Sequence, residues 1–531
     1  MCPENAMCPE KLQPWTRREF LRGAAGLGAL TAAAPAWSRT AQGVPGPIAL
    51  PPIAETRLDL NGIKKWDNSN GDTWDPFWAD DDALYSFNCD GRGFGAARQN
   101  LAFNGFSGDA LSELTGRSIH PMEEYGKAGL RGPDHATWKA CGQECIDGVF
   151  YAFVARNVYG SESHDPLMRQ TALNASLIKS HDRGRTWTRS AAENYARPMW
   201  PGAGFGAPFF VHYGQNGGKD GVDGSDAYVY AAATNGFWND GDFLTLGRVR
   251  RDRLARLDPA DWQYYRGGSG MAAASWTGNV YEGAPILARP ARCGQTPITW
   301  APALRRYLLI SWYNPQTLTQ WFKPSGMRYD FYQAEHPWGP WAPLASFTDR
   351  FLAPGSTMYG PSLCAKYQQS GSEEVVVPMF TAGCPFEDQP SGIYKCWMIP
   401  LRLRTAPLPA HTTVRWSDSA MHRHGNWRPL AASPGRDNAA LESVSAGSAL
   451  RFSFEGTGVE ILARKASGYG NVQLSLDAEP AATAALGTIN FPEISGVSVF
   501  RRLNLSPGRH SLRFSHAGGG AVNLQAVNVY L

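Results

Sequence analysis

Five short apolar runs, each fenced by Gly, Asn, Asp and Pro, recur along this chain and leave almost no room for helices: Ala83–Phe87, Val149–Val154, Ala227–Ala231, Tyr307–Trp312 and Val375–Phe380. Such runs favour pleated, half-buried strands, and the clusters between them are turn formers. Only Arg248–Trp262 looks helical, and briefly. The runs lie roughly 65 to 80 residues apart, too far for one hairpin but suited to a four-stranded propeller blade with its loops, so about five blades fit in roughly 350 residues. Composition agrees: 19 Trp, 20 Tyr, 57 Gly and 38 Pro suit short strands alternating with tight turns, and grooves walled by aromatic rings. The chain is therefore expected to be all-β, with a five-bladed β-propeller over residues 50–405 followed by a small β-sandwich.

Ser180-His181-Asp182-Arg183-Gly184-Arg185-Thr186-Trp187 fits the S-x-D-x-G-x-x-W Asp-box, a hairpin turn whose carboxylate caps backbone N–H groups, so Asp182 is read as structural. The Pro- and Thr-rich stretch Arg404–Thr413 reads as a linker. Beyond it, residues 414–531 alternate apolar and polar residues between Gly-rich turns, the pattern of a β-sandwich. Phe454–Val459 and Leu505–Arg513 resemble galactose-binding-like sandwiches appended to secreted glycoside hydrolases, a resemblance that implies glycan binding.

At 531 residues the chain exceeds one ordinary core, and 43% hydrophobic residues supply enough apolar material for two domains. A net charge of +3 without Lys or Arg runs offers no electrostatic footprint to nucleic acid. Thr16-Arg17-Arg18-Glu19-Phe20-Leu21, an Ala-rich apolar run and Ala34-Pro35-Ala36 form a twin-arginine signal over residues 1–36. Export to the periplasm or beyond follows. The apolar stretch Gly23–Ala36 falls short of the roughly 20 residues that span a bilayer, so the mature protein is expected to have no membrane span. No coiled-coil pattern calls for an obligate partner, and a monomer is expected. Seven of the nine Cys lie beyond the signal. An odd number outside the cytoplasm suggests disulfides plus a free thiol, with Cys141/Cys145 and Cys384/Cys396 as candidate loops. Their spacing does not suit zinc.

Chemistry concentrates where the propeller opens, in Gly71-Asp72-Thr73-Trp74-Asp75-Pro76-Phe77-Trp78-Ala79-Asp80-Asp81-Asp82 and Cys89-Asp90-Gly91-Arg92. Innermost strands line the central channel of a propeller, and Asp72 and Asp90 flank one strand hairpin there. Glycosidic hydrolysis uses one carboxylic acid to protonate the leaving oxygen and one carboxylate as nucleophile or base, a pair these two Asp can supply. Asp beside Gly is equally a turn former, and Asp80–Asp82 reads as a solvated turn or a site for a structural cation such as Ca²⁺; no cofactor or catalytic metal is expected. Trp74, Trp78, Trp312, Tyr313 and Tyr359 are candidate sugar-stacking rings, with blade packing as the competing role, and Glu282 is a reserve acid. His135, His212 and His336 would serve a polysaccharide lyase, in which His or Tyr abstracts the proton α to a uronate carboxylate that Arg neutralises.

The strings G-D-T-W, W-A-D-D and C-D-G, with Cys145–Tyr151, Ala207–Gln215, Tyr313-Asn314-Pro315 and His336-Pro337-Trp338-Gly339-Pro340-Trp341, resemble a family of five-bladed propeller proteins long catalogued as a domain of unknown function. That family includes endo-D-arabinanases. The resemblance covers residues 55–400 or so and implies a hydrolase in which the catalytic pair corresponds to Asp72 and Asp90, acting on an arabinan-like furanose polymer. The chain has Asn88-Cys89-Asp90-Gly91 where the family has Gly-Asp-Gly. The expected function is a secreted glycoside hydrolase that degrades a polysaccharide; a non-catalytic glycan-binding protein and a lyase are the alternatives.

Overall fold

The computed structural model describes residues 53–531 apart from 163–168, 219–226, 269, 271–272, 315–326, 350–351, 353–355, 372, 387–391, 433–438 and 488–492. The twin-arginine segment and Pro315 therefore lie outside the described residues.

Five antiparallel sheets follow one another along the first part of the chain. Blade I is built from Asn70–Asp72, Leu84–Gly93, Gln99–Ser107 and Thr115–His120. Blade II comprises Thr137–Ile146, Val149–Val158 and Thr171–Ser180. Blade III comprises Gly206–His212, Tyr228–Thr234, Gly241–Arg250 and Trp262–Gly267. Ile298–Ala301, Arg306–Tyr313, Arg328–Ala334 and Ala342–Thr348 form blade IV. In blade V, Thr357–Leu363, Glu374–Cys384 and Cys396–Arg404 are joined by Glu55–Leu58, which pairs antiparallel with the last of them, Glu55 opposite Arg404 and Leu58 opposite Leu401. One end of the propeller thus supplies the outermost strand for the other, and the ring closes without an open edge at that seam.

The first strand of each blade is the innermost. Neighbouring innermost strands run parallel where they touch, Val211 and His212 opposite Ile298 and Thr299. Blade strands are buried on both faces, as in Val149–Val158, because each blade packs between two others.

The sandwich differs: Ala449–Gly456 and Asn471–Leu476 alternate buried and exposed residues, one face inward and one in water. One of its sheets orders His411–Arg415, Ala526–Tyr530, Gly458–Lys465 and Ile494–Arg502. Its first strand starts inside the stretch read as a linker. The sandwich leans on blade V through a shared apolar cluster and through Lys465 Nζ, which donates to Asn61 Oδ1 at 2.7 Å.

Two local expectations change. Arg248–Trp262 is the end of a strand and two 3₁₀ turns, because Leu257 takes a left-handed conformation and Pro259 restarts the chain. No disulfide forms at the two candidate loops: Cys141 and Cys396 are buried thiols, as are Cys89, Cys145, Cys293 and Cys364. Asp80–Asp82 does form an exposed turn, as one of its two readings had it, and Arg183 pairs there with Asp80 and Asp81 and Lys366 with Asp82. The Asp-box forms as read: Asp182 accepts from Thr186 N at 2.9 Å, and Trp187 packs against Phe87 and Phe103 of blade I.

Candidate active site

Asp72 and Asp90 come together by a local irregularity that their glycines permit. Asn70 pairs with Gly93 and Asp72 with Cys89, so three residues, Asp90 to Arg92, face the single Gly71. This is a bulge, and Asp90 sits in it with φ +50. A Cβ on Gly91 would fall 2.4 Å from the Gly71 Cα, and one on Gly71 2.8 Å from the Cys89 carbonyl oxygen, so the two backbones approach as only glycines allow. The G-D and D-G dipeptides are therefore two halves of one device that presents both carboxyl groups.

They line a cavity of about 560 Å³ at the starts of the innermost strands, with Lys139 of blade II, Trp238 of blade III, and Tyr359, Phe386 and Tyr394 of blade V on its wall. The two carboxyl groups live in different surroundings. Asp72 is buried; its Oδ2 accepts from the hydroxyls of Tyr359 at 2.7 Å and Tyr394 at 3.1 Å, and its Oδ1 from Thr73 at 3.0 Å. Burial raises its pKa to about 6, with Asp90 adding to the rise and Lys139, Tyr359 and Thr73 opposing it. Asp90 is half-buried, and its Oδ2 takes an ion pair from Lys139 and a 3.0 Å hydrogen bond from the Tyr159 hydroxyl. Its Oδ1 has no hydrogen-bond partner among the described residues. Burial alone would lower Lys139, but Asp90, Tyr159 and Asp72 outweigh it and hold the ammonium well above its ordinary value. One carboxyl is thus poised to keep a proton near neutrality, and the other is balanced by a fixed cation.

Of the other sequence candidates only Tyr359 joins this cavity. Trp74 is fully buried, donates to the Gly71 carbonyl at 2.9 Å and packs on Phe94, so it is a blade-packing ring. Trp78 bonds Asp82 at 2.7 Å near the far turn of its hairpin. Trp312 is fully buried, donates to the Gln295 carbonyl and packs beneath Tyr359. Tyr313 donates to Asp330 at 3.1 Å within blade IV. Glu282 is exposed on a 3₁₀ turn beside blade III, where it bonds Thr277 and Asn279. These positions lie outside the cavity lining for one reason: an aromatic or acidic letter near a strand does not reveal which face of the blade it serves. His135 is exposed in a turn and His336 stacks on Trp338, both outside the cavity lining. Lys139, Tyr159, Tyr394, Arg98 and Phe386 were not singled out in the sequence. Each stands alone in its segment, and only the closed ring assembles them.

Deeper along the same strands lies a second charged cluster. His212 Nε2 is 2.9 Å from Asp75 Oδ1 and its Nδ1 2.7 Å from Glu144 Oε2; Ser362 donates to Asp75, and Gln143 N donates to Asp75 Oδ2 at 3.3 Å. All are buried. Desolvation works against the His212 charge, yet Asp75 and Glu144 override it and raise its pKa to about 10. Burial raises Glu144 despite His212. Blades I, II, III and V each contribute to this knot, which leaves His212 engaged and sealed from substrate.

Among the described residues no group of His, Cys, Asp and Glu could hold a metal ion, and no helix is long and apolar enough to cross a membrane. No family model matches the chain, and no curated protein sequence does. Among solved structures, the chain is similar to an exo-β-1,3-galactanase from Phanerochaete chrysosporium solved with β-1,3-galactotriose, at 12% identity over 90% of this chain and 100% of that one with a TM-score of 0.39. A glycoside hydrolase family 43 arabinoxylan arabinofuranohydrolase from Bacillus subtilis matches at 14% identity over 88% and 97% with a TM-score of 0.32. A third, a putative hydrolase from Bacteroides ovatus, matches at 13% over 64% and 86% with a TM-score of 0.40. The propeller assignment itself rests on the strand pairings of this chain.

Proposed function

We propose that this protein is a glycoside hydrolase, exported by the twin-arginine route, that cleaves a polysaccharide in the cavity between blades I, II and V. The observation that carries the reading is the unequal pair of carboxyl groups on one cavity wall. Asp72, with its pKa raised to about 6 by burial, donates a proton to the glycosidic oxygen. Asp90, its charge balanced by Lys139, acts on the anomeric carbon's side, as nucleophile or as base for water. The half-exposed Phe386 ring, set edge-on against Tyr394 at 5.2 Å, offers a sugar platform at the mouth. The substrate proposed from the sequence resemblance is a furanose polymer of arabinan type, with the sandwich holding glycan nearby.

A lyase would need a tyrosine that gives up its proton. Burial raises Tyr159, Tyr359 and Tyr394, the last two well above the ordinary value; Asp72 or Asp90 adds to each rise, and at Tyr159 Lys139 opposes it without cancelling it. The glycan-binding alternative would leave the paired carboxyl groups without a task. The test is a digestion screen over arabinans, arabinogalactans, pectins and uronate-containing polysaccharides, beside Asp72→Asn and Asp90→Asn. New reducing ends lost in both variants support the hydrolase. Unsaturated products, or activity indifferent to both substitutions, would overturn it.

A further inference from the structure

The cavity carries more positive charge than its catalytic pair uses. Three cations line it, Arg98, Lys127 and Lys139, against two carboxyl groups, Asp72 and Asp90. Lys139 is committed to Asp90. Two cations outside the lining are paired as well, Arg131 with Glu162 and Arg156 with Asp134. Arg98 and Lys127 break the pattern. The Arg98 guanidinium donates through Nη2 to the Asp90 carbonyl at 3.0 Å, and among the described residues neither Arg98 nor Lys127 has a carboxylate partner.

Their placement is built. Gln99 and Lys127 form a backbone bridge, and Ala128 N donates to the Arg98 carbonyl at 3.3 Å, so the two cations sit on adjoining segments. The buried Asn100 fixes the second segment: its amide donates to the carbonyls of Tyr125 at 2.9 Å and Leu130 at 3.0 Å, and its Oδ1 accepts from Gly129 N at 2.9 Å. Both cations are exposed to solvent on the cavity wall, and an anionic group of a bound ligand would gain charge-assisted hydrogen bonds from them.

We propose that Arg98 and Lys127 form an anion subsite that selects a glycan bearing an acidic group, a uronate carboxylate or a phosphate ester, beside the bond to be cleaved. The inference rests on the hydrolase reading for its place in the reaction, but not for its test. The wild-type full chain and Arg98→Gln/Lys127→Gln are titrated with three hexoses that differ at one carbon: glucuronate, glucose 6-phosphate and neutral glucose. The expected result is that at least one acidic hexose binds the wild type about tenfold or more tighter than glucose, and that the double variant loses this preference while retaining its glucose affinity. The acidic hexose favoured identifies the carboxylate or the phosphate as the source. Equal binding of all three by the wild type, or a preference that survives in the double variant, overturns the subsite. Because binding is read without turnover, a failed subsite leaves the Asp72 and Asp90 digestion result untouched, and a failed hydrolase leaves the binding preference standing.

Discussion

Asp72 and Asp75 stand three residues apart in the same segment of blade I, yet the first faces a cavity and the second a sealed knot with His212 and Glu144. The same step separates Tyr359 from Ser362 on blade V, and Lys139 lies about a turn of strand above Gln143 and Glu144 on blade II. Along a strand such a step is about 10 Å, so the channel is organised in two levels. At the upper level a carboxylate oxygen, Asp90 Oδ1, is left open among the described residues. At the lower level both ring nitrogens of His212 are engaged, one by Asp75 and one by Glu144. The difference teaches that buried charge in a propeller can line an open cavity or fasten the centre, and that the pairing of the charged atoms, more than burial, tells the two apart.

The sharpest way to break this contrast is to remove the upper carboxyl groups: Asp72→Asn and Asp90→Asn should each lower turnover by about 10³-fold, read as reducing ends, while the fold persists. Removing the lower cation should do the reverse. His212→Gln leaves two carboxylates facing each other in the core and should cost about 3–5 kcal/mol in urea unfolding. The two levels also differ in their response to pH. His212, with its pKa raised to about 10, contributes stability that is fully present below its ordinary value of 6.5 and is lost as pH rises through 10. Asp72, raised from 3.8 to about 6, favours the folded state less as pH rises through that window, so Asp72→Asn should be the more stable protein near neutrality, by at most about 3 kcal/mol, and no more stable below pH 3.8.

A smaller effect sharpens the roles within the upper level. The alkaline limb of the pH–rate profile should fall near 6, where Asp72 loses its proton, and Lys139→Met should move that limb upward, because the ammonium lowers Asp72, while reducing kcat by about 10²-fold. Smallest of all, Glu282→Ala should leave turnover unchanged and alter stability by less than about 0.5 kcal/mol, since its carboxylate bonds an exposed turn and pairs only with the exposed Arg266.

What was legible in the sequence was periodic or local. Five apolar runs at blade spacing disclose the propeller because each blade needs its own buried strands. Asp72 and Asp90 stand out because the glycines beside them mark a backbone that must bend. The remaining groups are joined by closure of the ring: Lys139 meets Asp90 across 49 residues, and Tyr359 and Tyr394 meet Asp72 across 287 and 322. Single Lys and Tyr letters carry no sign of such distant partners. The tryptophans misled for a related reason, since Trp74 and Trp312 have the composition of a sugar platform and the environment of a core.

The pairing of Glu55–Leu58 with the strand that ends at Arg404 also orders events in time. During synthesis the earliest propeller strand waits, unmatched, until the latest one has emerged, so blade V and the Asp72–Tyr359–Tyr394 contacts it supports come into being only after the rest of the propeller has been made. Assembly of the cavity is therefore a late event in the life of each molecule, and a nascent chain stalled before blade V would carry both aspartates without the tyrosines that hold Asp72.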